Sequence, residues 1–126
     1  MCLDTSFIVD IIRGNAGALQ ELKRLENKGS SITTAAITTC ELFEGAYGSE
    51  QPEKEVSRVK AIVHRIELLE FTLDVCERYG KLKSAGRTIG DLDTLIASAA
   101  LVYNEPLLTS NIEHFNRVPN LIVKDW

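Results

Sequence analysis

Apolar positions change spacing in a regular order along the chain. Short runs of leucine or β-branched residues alternate with longer stretches in which apolar residues return every three or four positions. Met1-Cys2-Leu3 reads as a very short strand running straight into Asp4. Thr5 or Ser6 is placed to cap the next helix, whose apolar face is Phe7, Ile8, Ile11 and Ile12 and whose end is Arg13-Gly14. Ala16 to Lys28 predicts a second amphipathic helix, with Leu19, Leu22 and Leu25 inward and Gly29 as its stop. Ser31 to Thr34 predicts a strand. A helix from about Ile37 to Tyr47 carries Cys40, Leu42, Phe43 and Ala46. After a loop from Gly48 to Pro52, the inward residues Val56, Val59, Ile62 and Val63 mark a charged helix from Glu53 to about Arg65. Leu68 to Phe71 predicts a third strand, and Thr72 caps a helix through Val75, Cys76, Tyr79 and Leu82 to about Ala85.

The stretch from Thr88 to Asn111 is the one the others are arranged around. Gly90 ends the preceding segment, and Asp91 is placed to cap a helix with Leu92, Leu95, Ile96, Ala99, Ala100 and Tyr103 at helical spacing. Its alanines and serine keep one face thin, as a helix lying close to a sheet requires. Asn104-Glu105-Pro106 stops it. Leu107-Leu108 then reads as an interior strand with the polar end Thr109-Ser110-Asn111. Ile112 to Phe115 predicts one helical turn, and Leu121 to Val123 a last strand. Strands alternating with helices predict an α/β fold, a central mostly parallel sheet of four to five short strands with helices on both faces. No repeat or linker interrupts residues 1–126, which we expect to form a single domain.

Composition narrows the class. Of 126 residues, 44% are hydrophobic and 25% charged, which is ordinary for a globular protein. No apolar run approaches the roughly 20 residues of a membrane span, and the N-terminus lacks a basic leader or signal core, so the expected location is cytoplasmic, with no membrane partner. Cys2, Cys40 and Cys76 are too widely spaced for a disulfide framework or a zinc site, and buried structural thiols are expected. A net charge of −4 argues against indiscriminate nucleic-acid binding, so a phosphate-rich substrate would need a local basic patch or bound cations.

Three acids stand at particular places. Asp4 lies where a strand gives way to a helix, the edge at which ligands collect in open parallel sheets, although a capping role would also explain it. Glu41 falls in the apolar run T-T-C-E-L-F, where an unpaired carboxylate is costly. Asp91 and Asp93 share the first turn of a helix, yet about 100° per residue sends them to different sides. Just before them, Arg78, Lys81, Lys83 and Arg87 form the densest basic patch. It reads either as a solvated helix end that complements the dipole or as a phosphate-positioning surface. Distant carboxylates converging at one sheet edge suit a hard cation such as Mg²⁺ or Mn²⁺. His64 and His114 stand alone. No Gly-rich nucleotide loop or nucleophile elbow is present.

The segments L-D-T-S-F-I-V-D-I-I-R-G, T-T-C-E-L-F-E-G-A, I-G-D-L-D-T-L-I-A-S-A-A and L-L-T-S-N-I-E-H-F, in this order and spacing, resemble the PIN-domain nucleases, and in particular the toxins of VapBC-type toxin–antitoxin pairs. The resemblance covers nearly the whole chain and implies a PIN-like three-layer sandwich. It puts the family's first three acids on Asp4, Glu41 and Asp93, leaving Asp91 to structure. The position of a fourth acid is Asn111, which adds no charge, so one well-occupied metal is expected. The implied activity is Mg²⁺- or Mn²⁺-dependent hydrolysis of RNA phosphodiesters, with Asp4, Glu41 and Asp93 as ligands. Thr5, Ser6, Thr109 and Asn111 would orient them through hydrogen bonds. The implied partners are RNA and a neutralising protein antitoxin. Family members often form homodimers, which nothing in this sequence demands. A metal-dependent phosphatase on a similar α/β sheet and a non-catalytic PIN-like binding protein are the alternatives. An antitoxin-like reading frame beside the gene, and activity on oligoribonucleotides against small phosphoesters, discriminate among them.

Overall fold

Residues 1–86 and 89–126 are described by a computed structural model. Five short strands form its sheet: β1 (Cys2–Leu3), β2 (Thr33–Ala35), β3 (Glu67–Leu69), β4 (Leu107–Leu108) and β5 (Val123–Lys124). Their order is β3-β2-β1-β4-β5, and every neighbouring pair is parallel. The helices are α1 (Thr5–Ile12), α2 (Ala16–Asn27), α3 (Ala36–Tyr47), α4 (Pro52–Val63), α5 (Leu73–Ser84), α6 (Asp91–Val102) and α7 (Ile112–Phe115). Parallel strands need crossovers, and the helices supply them. The expected parallel sheet between helical layers is therefore what the chain builds. Among the described residues no helix is long and apolar enough to cross a membrane.

The alternation of side chains along a strand divides the interior in two. Cys2 and Leu107 face a core with Val75, Leu82, Ile96, Ala100 and Phe115, contributed by α5, α6 and α7. Their chain neighbours Leu3 and Leu108 face the opposite core, with Phe7, Ile8, Leu25, Leu42 and Val59 from α1 to α4. Register pins the two central strands together, Cys2 opposite Leu107 and Leu3 opposite Leu108. Trp126 closes the second core by meeting the Phe7 ring edge-on at 4.7 Å. Helix α6 is the most enclosed of the helices: Thr94, Ile96, Ala97, Ser98, Ala99 and Ala100 are all buried. Small side chains let it pack against the sheet, α5 and α3 at once. Its buried hydroxyl at Ser98 donates back to the Thr94 carbonyl at 2.6 Å, so no polar group there is left bare.

Several sequence-based expectations are corrected by helical phase. Only Cys2 is a buried thiol; Cys40 and Cys76 are exposed. On α3 the inward residues are Thr38, Leu42 and Ala46, a spacing of four, which leaves Cys40 on the outer side. Val75 is buried on α5, so Cys76 is rotated about 100° away from it. Leu19 and Leu92 likewise point outward, 44% and 47% exposed. Neither Thr5 nor Ser6 caps α1, whose N-cap position is Asp4 itself. The cap of α6 is Gly90 and not Asp91. Gly90 has φ +85° with open space where a Cβ would sit, so it is the backbone conformation that favours glycine there.

Candidate active site

A parallel sheet delivers the end of every strand, and the start of the helix after it, to one edge. Asp4 follows the central strand β1 directly. Its N–H donates to the Leu108 carbonyl at 2.9 Å, and only 6% of the residue is exposed. Thr109, fully buried at the end of β4, donates its hydroxyl to Asp4 Oδ2 at 2.6 Å. Ser6 donates to the same oxygen at 3.3 Å and accepts the Ser110 N–H at 3.3 Å. The Asn111 N–H donates to Thr109 Oγ1 at 3.0 Å, while its side chain makes no cap bond to α7. Thr5 turns the other way, donating to Glu41 Oε1 at 2.8 Å. Each of the four hydroxyl or amide residues named from the sequence is thus within this network, Asn111 through its backbone.

Burial pushes the Asp4 carboxyl above the ordinary range. Hydrogen bonds from Thr109 and the Thr5 backbone pull it back, and the charge of Asp93 adds to the rise. Glu41 is also raised, first by burial, with Thr5 opposing and the charges of Asp4 and Asp93 reinforcing. The three acids therefore feel one another. They are not yet closed on a common point: among the described residues no three His, Cys, Asp or Glu side chains could hold a metal ion as they stand. The donors at this edge are carboxylate, hydroxyl and amide oxygens with no thiolate, a set that fits a hard divalent cation able to offset the repulsion.

Asp91 and Asp93 separate as helix geometry requires. The Asp91 side chain is 72% exposed and pairs with Lys83 Nζ at 2.7 Å, which holds its carboxyl below the usual range. The Asp93 side chain, 32% exposed, lies 2.7 Å from His114 Nε2. The basic patch does not stay together. Lys81 pairs with Glu77 at 3.4 Å, and Arg78 and Lys81 line a depression with Leu101, Val102 and Asn104. That is the far end of α6, about 14 Å along the helix axis from Asp93. Lys83 remains near the acids through Asp91, and Arg87 lies outside the described residues. On the other side, a groove of about 530 Å³ between α1, α3 and α4 begins at Thr5 and Glu41, with Ile12 and Leu42 in its wall and Arg13 and Arg58 on it.

His114 stands alone in the sequence, yet the structure sets it against Asp93. The signal that could have found it is topological: α7 follows β4, so its first turn is delivered to the same edge as the start of α6.

Comparison with known proteins agrees with this architecture. The PIN domain family model matches residues 1–121. Ribonuclease VapC2 of Rickettsia felis is 33% identical over 128 residues, covering 98% of this chain and 96% of its own. Ribonuclease VapC19 of Mycobacterium tuberculosis is 32% identical over 123 residues, 94% of each chain. The solved structure of VapBC2 from Rickettsia felis, bound to a promoter DNA fragment, matches with a TM-score of 0.89 at 32% identity, covering 99% of this chain and 97% of that one.

Proposed function

The chain belongs to the PIN-domain family, and from that premise we propose that it is a divalent-metal-dependent endoribonuclease, the toxin of a toxin–antitoxin pair, acting in the cytoplasm as one domain over residues 1–126. One observation carries the catalytic part: at the carboxyl edge of the sheet, Asp4 accepts from Thr109 at 2.6 Å while its chain neighbour Thr5 donates to Glu41 at 2.8 Å, which brings acids of two elements together with Asp93 of α6 as the third charge acting on both. The relatives named ribonuclease VapC support RNA as the substrate, and the VapBC neighbours support a protein antitoxin as partner.

Asp4, Glu41 and Asp93 would hold Mg²⁺ or Mn²⁺. The bound cation would supply Lewis acidity, lowering the pKa of a water and offsetting charge that develops on the phosphate. Thr109 and Ser6 hold the Asp4 carboxylate, and Thr5 holds Glu41, so two of the three acids have their orientation set by hydroxyl donors. Asn111 leaves the site one charge poorer than a fourth acid would, which favours one well-occupied cation. Among Arg78, Lys81, Lys83 and Arg87, we assign the backbone phosphate contact to Lys83, whose partner Asp91 is two residues from Asp93.

Cleavage of a mixed RNA pool with and without Mg²⁺ or Mn²⁺, mapped by end sequencing, tests the proposal. Metal-dependent cuts are expected from the wild type and from Asp91→Ala, and none from Asp93→Asn. Hydrolysis of small phosphoesters without RNA cleavage would favour the phosphatase reading. An active Asp93→Asn beside an inactive Asp91→Ala would reverse the roles of the two acids.

A further inference from the structure

His114 connects three pieces of chain. Its Nε2 lies 2.6 Å from the Ile89 carbonyl and 2.7 Å from Asp93 Oδ2, while its own backbone belongs to α7. A carbonyl oxygen has no hydrogen to give, so Nε2 is the donor, and its single hydrogen is shared between the Ile89 carbonyl and Asp93 Oδ2. The ring cannot swing freely. It meets Phe115 edge-on, centroids 5.6 Å apart and planes at 86°, and both Phe115 and Ile89 are buried. A donor held this firmly sets the direction of whatever it binds.

Asp93 needs such a partner. It sits in the exposed first turn of α6, and two side-chain torsions would otherwise let its carboxylate turn towards water. Asp4 and Glu41 each have a hydroxyl donor on one oxygen, Thr109 and Thr5, and His114 is the equivalent for the third acid. We propose that His114 is the positioning residue of Asp93: it engages Oδ2 and so presents the carboxylate to a divalent cation shared with Asp4 and Glu41. This rests on the reading of those acids as the cation's ligands. A contact that merely stapled α7 to the chain entering α6 would be complete with the Ile89 carbonyl alone.

Calorimetric titration of Mn²⁺ into the full chain without RNA tests the assignment. The variants are His114→Ala and His114→Phe, which lack the donor, and His114→Gln, which keeps one at similar reach. Phe preserves ring packing should the Ala variant fail to fold. Both donor-free variants should bind Mn²⁺ about tenfold more weakly or worse, as loss of an outer hydrogen-bond partner does at other metal sites. The Gln variant should recover most of the affinity. Wild-type affinity in the folded donor-free variants overturns the inference, and so does an equal loss in Gln, because then packing and not the donor is what matters. A wild type that binds no Mn²⁺ removes the metal reading itself, and the role of His114 with it.

Discussion

Thr109→Val isolates the hydrogen bond that holds the most buried acid of the site. Valine nearly matches threonine in shape, so the change deletes a hydroxyl without opening a cavity. The lost contact is a donor at 2.6 Å to the Asp4 carboxylate, at a residue that is 0% exposed. Hydrogen bonds to charged groups contribute about 1.5–3 kcal/mol net. The Asn111 N–H also loses its acceptor, but that residue is exposed and water replaces it. For 126 residues, about 2.1 cal/mol/K per residue gives roughly 4 °C of melting temperature per kcal/mol, so a fall of about 6–11 °C is expected in EDTA at pH 7. Thr109→Ser keeps the hydroxyl and removes one methyl, worth roughly 0.8 kcal/mol. The pH dependence has a definite sign. This bond lowers the Asp4 pKa relative to its value without it, so its contribution is present where Asp4 is ionised and lost as pH falls through the folded-state pKa. The gap between wild type and Thr109→Val should therefore close towards acid. A gap under about 0.5 kcal/mol at pH 7, the size of an ordinary surface substitution, or one that widens in acid, would refute the reasoning.

Two further outcomes follow from charge. Asp4 and Glu41 are raised in the folded chain, so their contribution to stability is full below the unfolded carboxylate values of about 4 and is lost as pH rises through the folded ones. Melting temperature in EDTA should fall as pH rises above about 4, and Mn²⁺ at pH 7 should reverse that loss by binding only the folded state; an unchanged melting temperature on adding Mn²⁺ would count against the site. In RNA binding, Lys83→Ala should reduce the slope of log affinity against log salt by roughly 0.7, the value for one contact to a single strand, while Arg78→Ala leaves it unchanged. Equal effects would restore the whole patch as the RNA surface.

Features decided within a few residues were legible in the sequence. Thr72 caps α5 by accepting the Val75 N–H, and Leu107-Leu108 is an interior strand, because local chemistry and bulk fix both. The acids Asp4, Glu41 and Asp93 could be picked out because strand ends and an apolar helix face are unusual places for a carboxylate. What depended on a neighbour from another element was not legible. Asp91 looked like a cap, but the helix starts one residue earlier than that reading requires, at the Gly90 cap, and the Asp91 carboxylate pairs instead with Lys83, eight residues earlier on α5. The basic residues looked like one patch, but about 200° of helical rotation separates Lys81 from Lys83, so Arg78 and Lys81 line a depression with Leu101 and Val102 while Lys83 pairs with Asp91. Cys40 failed for a subtler reason: an error of one or two residues in helical phase carries a side chain from the core to solvent.

The alanine-rich waist of α6 gives these failures a practical counterpart. Ala97, Ala99 and Ala100 act as shims, setting how deeply the helix beds between the sheet and its neighbours. Thickening any of them lifts the whole helix, and Asp93 rides on it roughly 6 to 10 Å away along the axis. Because close-packed interiors transmit displacement and do not absorb it, substitutions here would read as lesions of the chemistry while leaving every functional group in place. In a random-mutagenesis screen for loss of toxicity, this stripe would be a hot region with no catalytic atom in it.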